Sequence, residues 1–448
     1  MAEKNLSNSI VAVVGAGPAG IFAARQLAQA GVKVALFNRD IKPGGLAEYG
    51  IYYTKHKMKE GLRKQFRHIL ALPEVEYYGN VTVGRSCKLN LDELFQLGFQ
   101  AVMVAVGAQG TKWLGLPGED LKGVYHAKDI VFHYNKLPPF STHEFAVKGK
   151  VALIGVGNVM LDIAHWVTRT LKLEEAVAVA RRGPAEVKFT RQEMEYIIAN
   201  LDLKALDQEM ERVAHWMQQV DQDVDAAKAH ILAALPKADA PVSDTRFRFD
   251  FLASPTRILG DEAGNVTGLE IEDTCLVLKD GDTKARSLGT TRVLDVDSVI
   301  FCIGDRVDEN FGLPVAWNEF VKNPNPRFPI NGISYEAYDP ETDQPIEGVF
   351  VAGWSREASS GLVGVARKDG EQGAQAMLEY LQTVEPQYTP EQVHARLNLA
   401  LKNCDKRIIS KVDVQKLEAF EAAEAKRLGL EEFKLAANEE MLKVIEES

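Results

Sequence analysis

The chain has 448 residues, a formal net charge of -11, 46% hydrophobic and 26% charged residues, a length that calls for two or three cores in an ordinary globular composition. The acidic balance excludes a general nucleic-acid binder, which needs net positive charge against phosphate, but leaves room for a local basic patch. Four cysteines (Cys87, Cys275, Cys302 and Cys404) stand far apart with no CxxC. That excludes a disulfide scaffold, a dithiol reductase and a cysteine-ligated cluster of the chain's own.

The nine histidines show no metal-ligand spacing, so no metal is expected. No apolar run reaches signal-peptide or membrane length, which sets a cytoplasmic expectation.

In chain order, residues 10–14 (IVAVV) form a short apolar run that reads as a buried parallel strand. It enters Gly15-Ala-Gly-Pro-Ala-Gly20, and an Ala-rich helix over 21–30 follows. Gly31 ends that helix, and 32–37 (VKVALF) makes a second strand, which completes a βαβ unit. Residues 101–106 read as a later strand, closed by Gly107. The pattern then returns: strand 150–154 (KVALI), turn Gly155-Val-Gly-Asn-Val159, helix 160–171 and strand 176–180. Residues 201–237 read as polar-rich helix, and 247–259 and 266–277 as antiparallel strands around Asp261-Glu-Ala-Gly264. Strands 299–303 and 348–351 follow, the first placing Cys302 in a buried run. Beyond Pro386 the chain is charged and helical, with a partial stripe of Val414, Leu417, Phe420 and Leu428, a stop at Gly429 and a cap at Asn438.

A single GxGxxG is weak evidence, but this one lies between a strand and a helix. Gly15 permits the tight turn, Gly17 a close approach of backbone to a pyrophosphate, and Gly20 the packing of helix on strand. The ribose-reading position is Asn38, where an acid is usual, with Asp40 near enough to substitute. The second turn has Gly155 and Gly157 but no third glycine, and its next strand ends in Arg181 and Arg182. Two guanidinium groups there point to a 2′-phosphate, hence NADP over NAD.

Seven motifs in order now resemble the adrenodoxin-reductase family, itself related to the NADPH-oxidising small subunit of glutamate synthase. They are VVGAGPAG at 13–20, PGGLAEYGI at 43–51, LGLPGEDLKGVYHA at 114–127, GVGNVMLDIA at 155–164, ARRGPAEVKFTRQEME at 180–195, FLASPTRILG at 251–260 and VAGWSREASSGLVG at 351–364. The similarity spans about residues 9 to 385 and leaves the C-terminal stretch unaligned.

The resemblance implies an α/β protein of two Rossmann-like dinucleotide-binding domains, the second inserted in the first. The FAD domain would take 1–108 and 330–385, the NADP domain 109–329, and a C-terminal helical extension 386–448. Gly15, Gly17, Pro18, Ala19 and Gly20 would hold the FAD pyrophosphate, and Gly45, Leu46 and Gly107 would lie near the flavin. Gly353 and Trp354 would flank the isoalloxazine, with Gly361, Leu362 and Val363 along its pyrimidine edge. Gly155, Gly157, Asn158 and Val159 would take the NADP pyrophosphate, Arg181 and Arg182 the 2′-phosphate, and Glu193 a place near the nicotinamide nucleotide. His56 and Asp162 match a polar pair beside the two cofactors and, with Trp354, are the candidate catalytic residues. Departures from the family are Asn38, His165 in place of arginine, and Ser359-Ser360 before Gly361.

Such a protein takes hydride from NADPH onto FAD and passes electrons to an iron–sulfur protein of ferredoxin type. The work is chiefly positioning, because the cofactor supplies the reactivity. An acidic partner would dock on Arg169, Lys188, Arg191, Arg246 and Arg248. Two alternatives stand beside it: the NADPH-oxidising subunit of a larger complex held by the helical tail, and a non-catalytic FAD or NADP sensor. The tail is expected to be an appendage whose removal spares reduction of a dye by NADPH.

Overall fold

The computed structural model describes residues 4–359, 361–402 and 406–447, so Cys404 and Ser360 lie outside the described residues. The chain folds as two compact units. The first comprises Met1–Thr111, Phe132–Thr142 and Asp305–Ser448; the second comprises Lys112–Val131 and His143–Gly304. Residues 305–329 and the C-terminal helices thus fall with the first unit.

The first unit is built on a six-stranded sheet in the order Glu336–Asp339, Gln344–Val351, Val102–Val104, Ile10–Val14, Lys33–Phe37, Val75–Tyr78. All neighbours are parallel except the first pair. Because side chains alternate across a strand, the run at 10–14 supplies two cores at once. Val11 and Val13 enter one layer with the helices Pro18–Gln29 and Val363–Leu381, while Ile10, Ala12 and Val14 enter the other. An unbroken apolar run is what burial on both faces demands. Ile10–Val14 has Lys33–Phe37 on one side and Val102–Val104 on the other. Its glycine turn therefore leaves the sheet where the strand order reverses, the usual place for a ligand crevice.

The C-terminal stretch is part of both layers. Helix Pro390–Lys402 brings Val393, Leu397 and Leu401 to one face. Ile409, helix Lys411–Leu428, Leu435 and helix Asn438–Glu447 cover the other through Val414, Leu417, Met441 and Ile445. Gly429 ends Lys411–Leu428 with φ +69°, as the sequence predicts.

The second unit repeats the plan with a parallel sheet in the order Val124–His126, Ser298–Phe301, Lys150–Ile154, Glu175–Val179, Arg246–Asp250. Its turn after Ile154 also leaves the sheet at an order reversal. Three departures from expectation have local causes. The strand expected over 247–259 is two strands, Arg246–Asp250 in the parallel sheet and Ala253–Gly260 in an antiparallel one, separated by Leu252 at φ +48°. The helix expected over 201–237 is divided by Asp221 at φ +57° into Leu203–Gln218 and Val224–Leu232, each capped by an aspartate side chain, Asp202 and Asp223. A third antiparallel strand, Asp282–Leu294, was not expected; it is exposed along most of its length and so carries no apolar alternation.

Among the described residues no helix is long and apolar enough to cross a membrane, and no cluster of His, Cys, Asp and Glu is disposed to hold a metal.

Candidate cofactor-binding sites

In the first unit the glycine turn is a tight backbone cradle. A Cβ on Gly15 (φ +106°) would stand 2.3 Å from the Ala105 carbonyl oxygen, and one on Gly20 would stand 1.9 Å from that of Gly15. Gly45, at φ +51°, approaches from the next loop, and a Cβ there would lie 2.9 Å from Gly17 Cα. No side chain caps helix Pro18–Gln29, so its first amides face outward with the positive end of the helix dipole behind them. A pyrophosphate fits this donor set: backbone N–H groups, no side chain in the way and a favourable field.

Further along the same crevice, Gly353 (φ +65°) and Gly370 both press on the first helix. A Cβ on Gly353 would meet Ala19 Cβ at 2.6 Å, and one on Gly370 would meet the Ala19 carbonyl oxygen at 2.1 Å. Trp354 is half-buried between Gly353 and Ser355, and Ser355 Oγ accepts the Gly107 N–H at 3.0 Å. Asp369, a buried carboxylate that sequence reasoning missed, fixes this segment. It accepts the Gly353 N–H at 2.6 Å and the Arg356 guanidinium, whose Nε lies 2.9 Å from Oδ1. Gly361 (φ +71°), Leu362 and Val363 open the long helix Val363–Leu381, again with no side-chain cap.

Asn38 is buried and committed to backbone. Its Oδ1 accepts the Ala16 N–H at 3.2 Å, and its Nδ2 faces the carbonyl oxygens of Asp40 (3.0 Å) and Lys42 (2.9 Å) and Tyr77 Oη (3.2 Å). The amide therefore braces the glycine turn against the 40–42 loop rather than reaching out to a ribose. A carboxylate could not do this, because two of those contacts require a donor.

The loop after Gly45 is held by an ionic network to which the C-terminal segment contributes. Glu48 binds Arg63 through both oxygens (2.6 and 2.7 Å) and Lys434 at 2.7 Å. Arg63 also reaches Glu432, and Lys42 reaches Glu421, each at 2.5 Å. Burial alone would push the Glu48 carboxyl up; Lys42, Lys434 and Arg63 outweigh it and hold it well below the usual range. Lys59 beneath them donates to Asn135 Oδ1 at 2.7 Å and is pushed down to about 7, by burial first and the Lys434 charge second. His56 opens helix His56–Leu70 and lies 3.6 Å from both Glu431 and Glu432. The sequence paired His56 with Asp162; the neighbours seen within its unit are these two C-terminal carboxylates.

In the second unit, Gly155 (φ +122°) packs on the Cys302 carbonyl oxygen, 2.6 Å from where a Cβ would sit, whereas Gly157 faces open space. Helix Asn158–His165 starts there without a side-chain cap, and Val159 is exposed. Asn158 Oδ1 accepts the Thr190 N–H at 2.8 Å, and Thr190 Oγ1 accepts that of Glu193, so one relay ties the turn to the Glu193 segment. Asp162 lies half-buried along the same helix; burial and then its charge push the buried Cys302 thiol up, which keeps it neutral. His165 is buried and stacked on Tyr196 at 5.1 Å. His126 is also buried and pushed down to about 4 by burial and then by Lys128, so it stays uncharged at neutral pH. Arg181 and Arg182 border a cavity of about 320 Å³.

The expected basic patch is largely neutralised. Arg246 pairs with Asp202 and Glu175, Arg248 with Glu175, Arg191 with Glu195, and Arg169 donates to the Ala240 carbonyl oxygen.

Two parallel α/β units, each with a glycine turn at an order reversal, are the plan of a chain with two dinucleotide-binding folds. Residues 9–221 match the family model described as pyridine nucleotide-disulphide oxidoreductase. The chain is also similar, along nearly its whole length, to proteins named as NADPH–ferredoxin and NADPH–adrenodoxin reductases. It is 28% identical to the NADPH-ferredoxin reductase FprA of Mycobacterium leprae over 97% of this chain and 98% of that one. It is 25% identical to the mitochondrial NADPH:adrenodoxin oxidoreductase of Arabidopsis thaliana, over 94% and 91%. The solved structure of Mycobacterium tuberculosis FprA in complex with NADPH superposes with a TM-score of 0.79 at 26% identity, covering 98% of this chain and 99% of that one. Such coverage leaves too few residues unmatched to omit the C-terminal helices, so the resemblance does not stop near 385.

Proposed function

We propose that this chain oxidises NADPH through bound FAD and delivers the electrons to an iron–sulfur protein of ferredoxin type. The observation that carries the reading is the unequal equipment of the two glycine turns. The first is closed by a second glycine loop and backed by the Trp354 segment, as a tightly held flavin requires. The second is open at Gly157 and followed by two arginines, as an exchanging 2′-phosphorylated dinucleotide requires. Full-length relatives whose names state NADPH–ferredoxin and NADPH–adrenodoxin reduction support it.

Gly15, Gly17, Gly20 and Gly45 would admit the FAD pyrophosphate, and the amides at 361–363 would stabilise negative charge on the reduced ring. When bound, FAD accepts a hydride and releases electrons one at a time. Asp369 holds the Gly353–Ser355 turn in place, which would keep Trp354 at the edge of a bound flavin. Asn158, Val159, Arg181 and Arg182 would hold NADPH, with Glu193 positioned through Thr190. A location in the cytoplasm is part of this proposal.

The test is anaerobic mixing with NADPH or NADH, then with an oxidised ferredoxin. Bleaching of the visible flavin band by NADPH, followed by ferredoxin reduction, is the expected result. A protein that takes up no FAD, or whose flavin NADPH leaves oxidised, would refute the reading.

A further inference from the structure

The cavity beside Arg181 and Arg182 is not closed by the parallel sheet alone. Its remaining lining includes Ser254, Glu272, Thr274, Lys284 and Ser287, all from the three-stranded antiparallel sheet whose last strand, Asp282–Leu294, is otherwise exposed. Three features tie this sheet to the arginines. Thr274 Oγ1 donates to the Arg181 carbonyl oxygen at 2.8 Å, which fixes the strand end that carries both guanidinium groups. Ser287 stands directly opposite Thr274 in register, and its hydroxyl is held by Glu272. Lys284 is the third cation of the lining, set against the single carboxylate of Glu272. Its present partner is the neighbouring exposed Asp282, a kind of pair worth little in water and readily exchanged for a phosphate dianion.

We propose that the Asp282–Leu294 strand is a specificity element of the dinucleotide site, in which Lys284 joins Arg181 and Arg182 as the third cation on the 2′-phosphate. The Ser287–Glu272 pair supplies the polar wall on the same side. The proposal rests on the NADPH reading of the second unit and adds what that reading lacks, a contribution from outside the glycine-turn sheet. Three cations around one carboxylate select a ligand bearing an extra phosphate over its unphosphorylated counterpart, because Glu272 alone would repel the dianion.

The experiment is calorimetric binding of adenosine 2′,5′-bisphosphate, with 5′-AMP as the control, to the full-length protein and its variants. Lys284→Ala should weaken the bisphosphate by roughly 10-fold, about the value of one charge-assisted hydrogen bond, and leave 5′-AMP unchanged. Lys284→Arg should restore the affinity. A bisphosphate affinity unchanged in Lys284→Ala while Arg181→Ala lowers it would overturn the assignment to the strand. If neither substitution changes it, the cavity is not a 2′-phosphate site, and both this proposal and the NADPH reading of the arginines fall.

Discussion

Removal of residues 387–448 discriminates most sharply between an appendage and a structural tail. Among its described residues the segment contributes nine buried apolar side chains larger than alanine or proline: Val393, Leu397, Leu401, Ile409, Val414, Leu417, Leu435, Met441 and Ile445. At about 1.5–3 kcal/mol each they carry on the order of 14–27 kcal/mol, an upper figure because the unfolded chain already hides some of that surface. Even half of it matches the whole stability of an ordinary domain, about 5–15 kcal/mol. The cut also takes Glu421 from Lys42 and Glu432 from Arg63, and breaking a buried pair costs about 3–5 kcal/mol. Contrary to the expectation from sequence, the truncated chain should neither fold its first unit nor retain FAD. Leu417→Ala, at a fully buried position, provides a graded version with an expected cost of about 2–5 kcal/mol. The assays are flavin content after gel filtration and thermal unfolding by circular dichroism. A truncated protein that stays yellow and melts where the full chain does would refute the reasoning outright.

Replacing Arg181 and Arg182 together by alanine should raise the NADPH KM by roughly 10²-fold, since each lost charged hydrogen bond is worth about 1.5–3 kcal/mol; steady-state kinetics with NADPH and NADH measure it, and an unchanged KM would leave the pair as mere surface charge. Burial, and then the Lys434 charge, push the Lys59 ammonium down from its ordinary 10.5 to about 7, so between those values the unfolded chain binds more protons and stability rises with pH. Lys59→Met should flatten that rise, seen as a smaller gain in urea midpoint from neutral pH to about pH 9; an unaltered slope would place its origin elsewhere. Asn38→Asp should destabilise the first unit, because it turns a donor facing the Asp40 and Lys42 carbonyl oxygens into an acceptor, at about 1–3 kcal/mol per group left unsatisfied. If the carboxylate instead tightened FAD without lowering the melting temperature, position 38 would be a ribose contact after all.

The parts of the fold that the sequence makes legible are those where one local rule dominates. A strand buried on both faces must be apolar throughout, so Ile10–Val14 and Lys150–Ile154 are plain as text. A turn where an added Cβ would stand 2.3 Å (Gly15) or 2.6 Å (Gly155) from a carbonyl oxygen must be glycine, so these two residues mark the two crevices. The tail obeys no single rule. Its apolar residues are shared between two faces of one sheet, which blurs any stripe, and its charges find partners nearly 380 residues away, as Lys42 finds Glu421. Asn38 is visible as a departure from a motif, but its purpose lies in two carbonyl groups that no spacing predicts. The same holds for Asp369, an acid in the middle of a helix whose partners, Gly353 and Arg356, belong to another motif.

These misses share a physical origin, because each of these polar groups acts on the backbone or the charges of a loop. Glu48 shows it most clearly. It lies inside PGGLAEYGI, a motif that reads as flavin chemistry, yet its carboxylate is buried under Arg63, Lys42 and Lys434. A buried acid with three cationic partners is poorly placed to move protons and well placed to fix a loop. The glycines of that motif leave room beside the first glycine turn, and its acid anchors the chain's own C-terminal segment, so the tail holds the loop that closes on that turn.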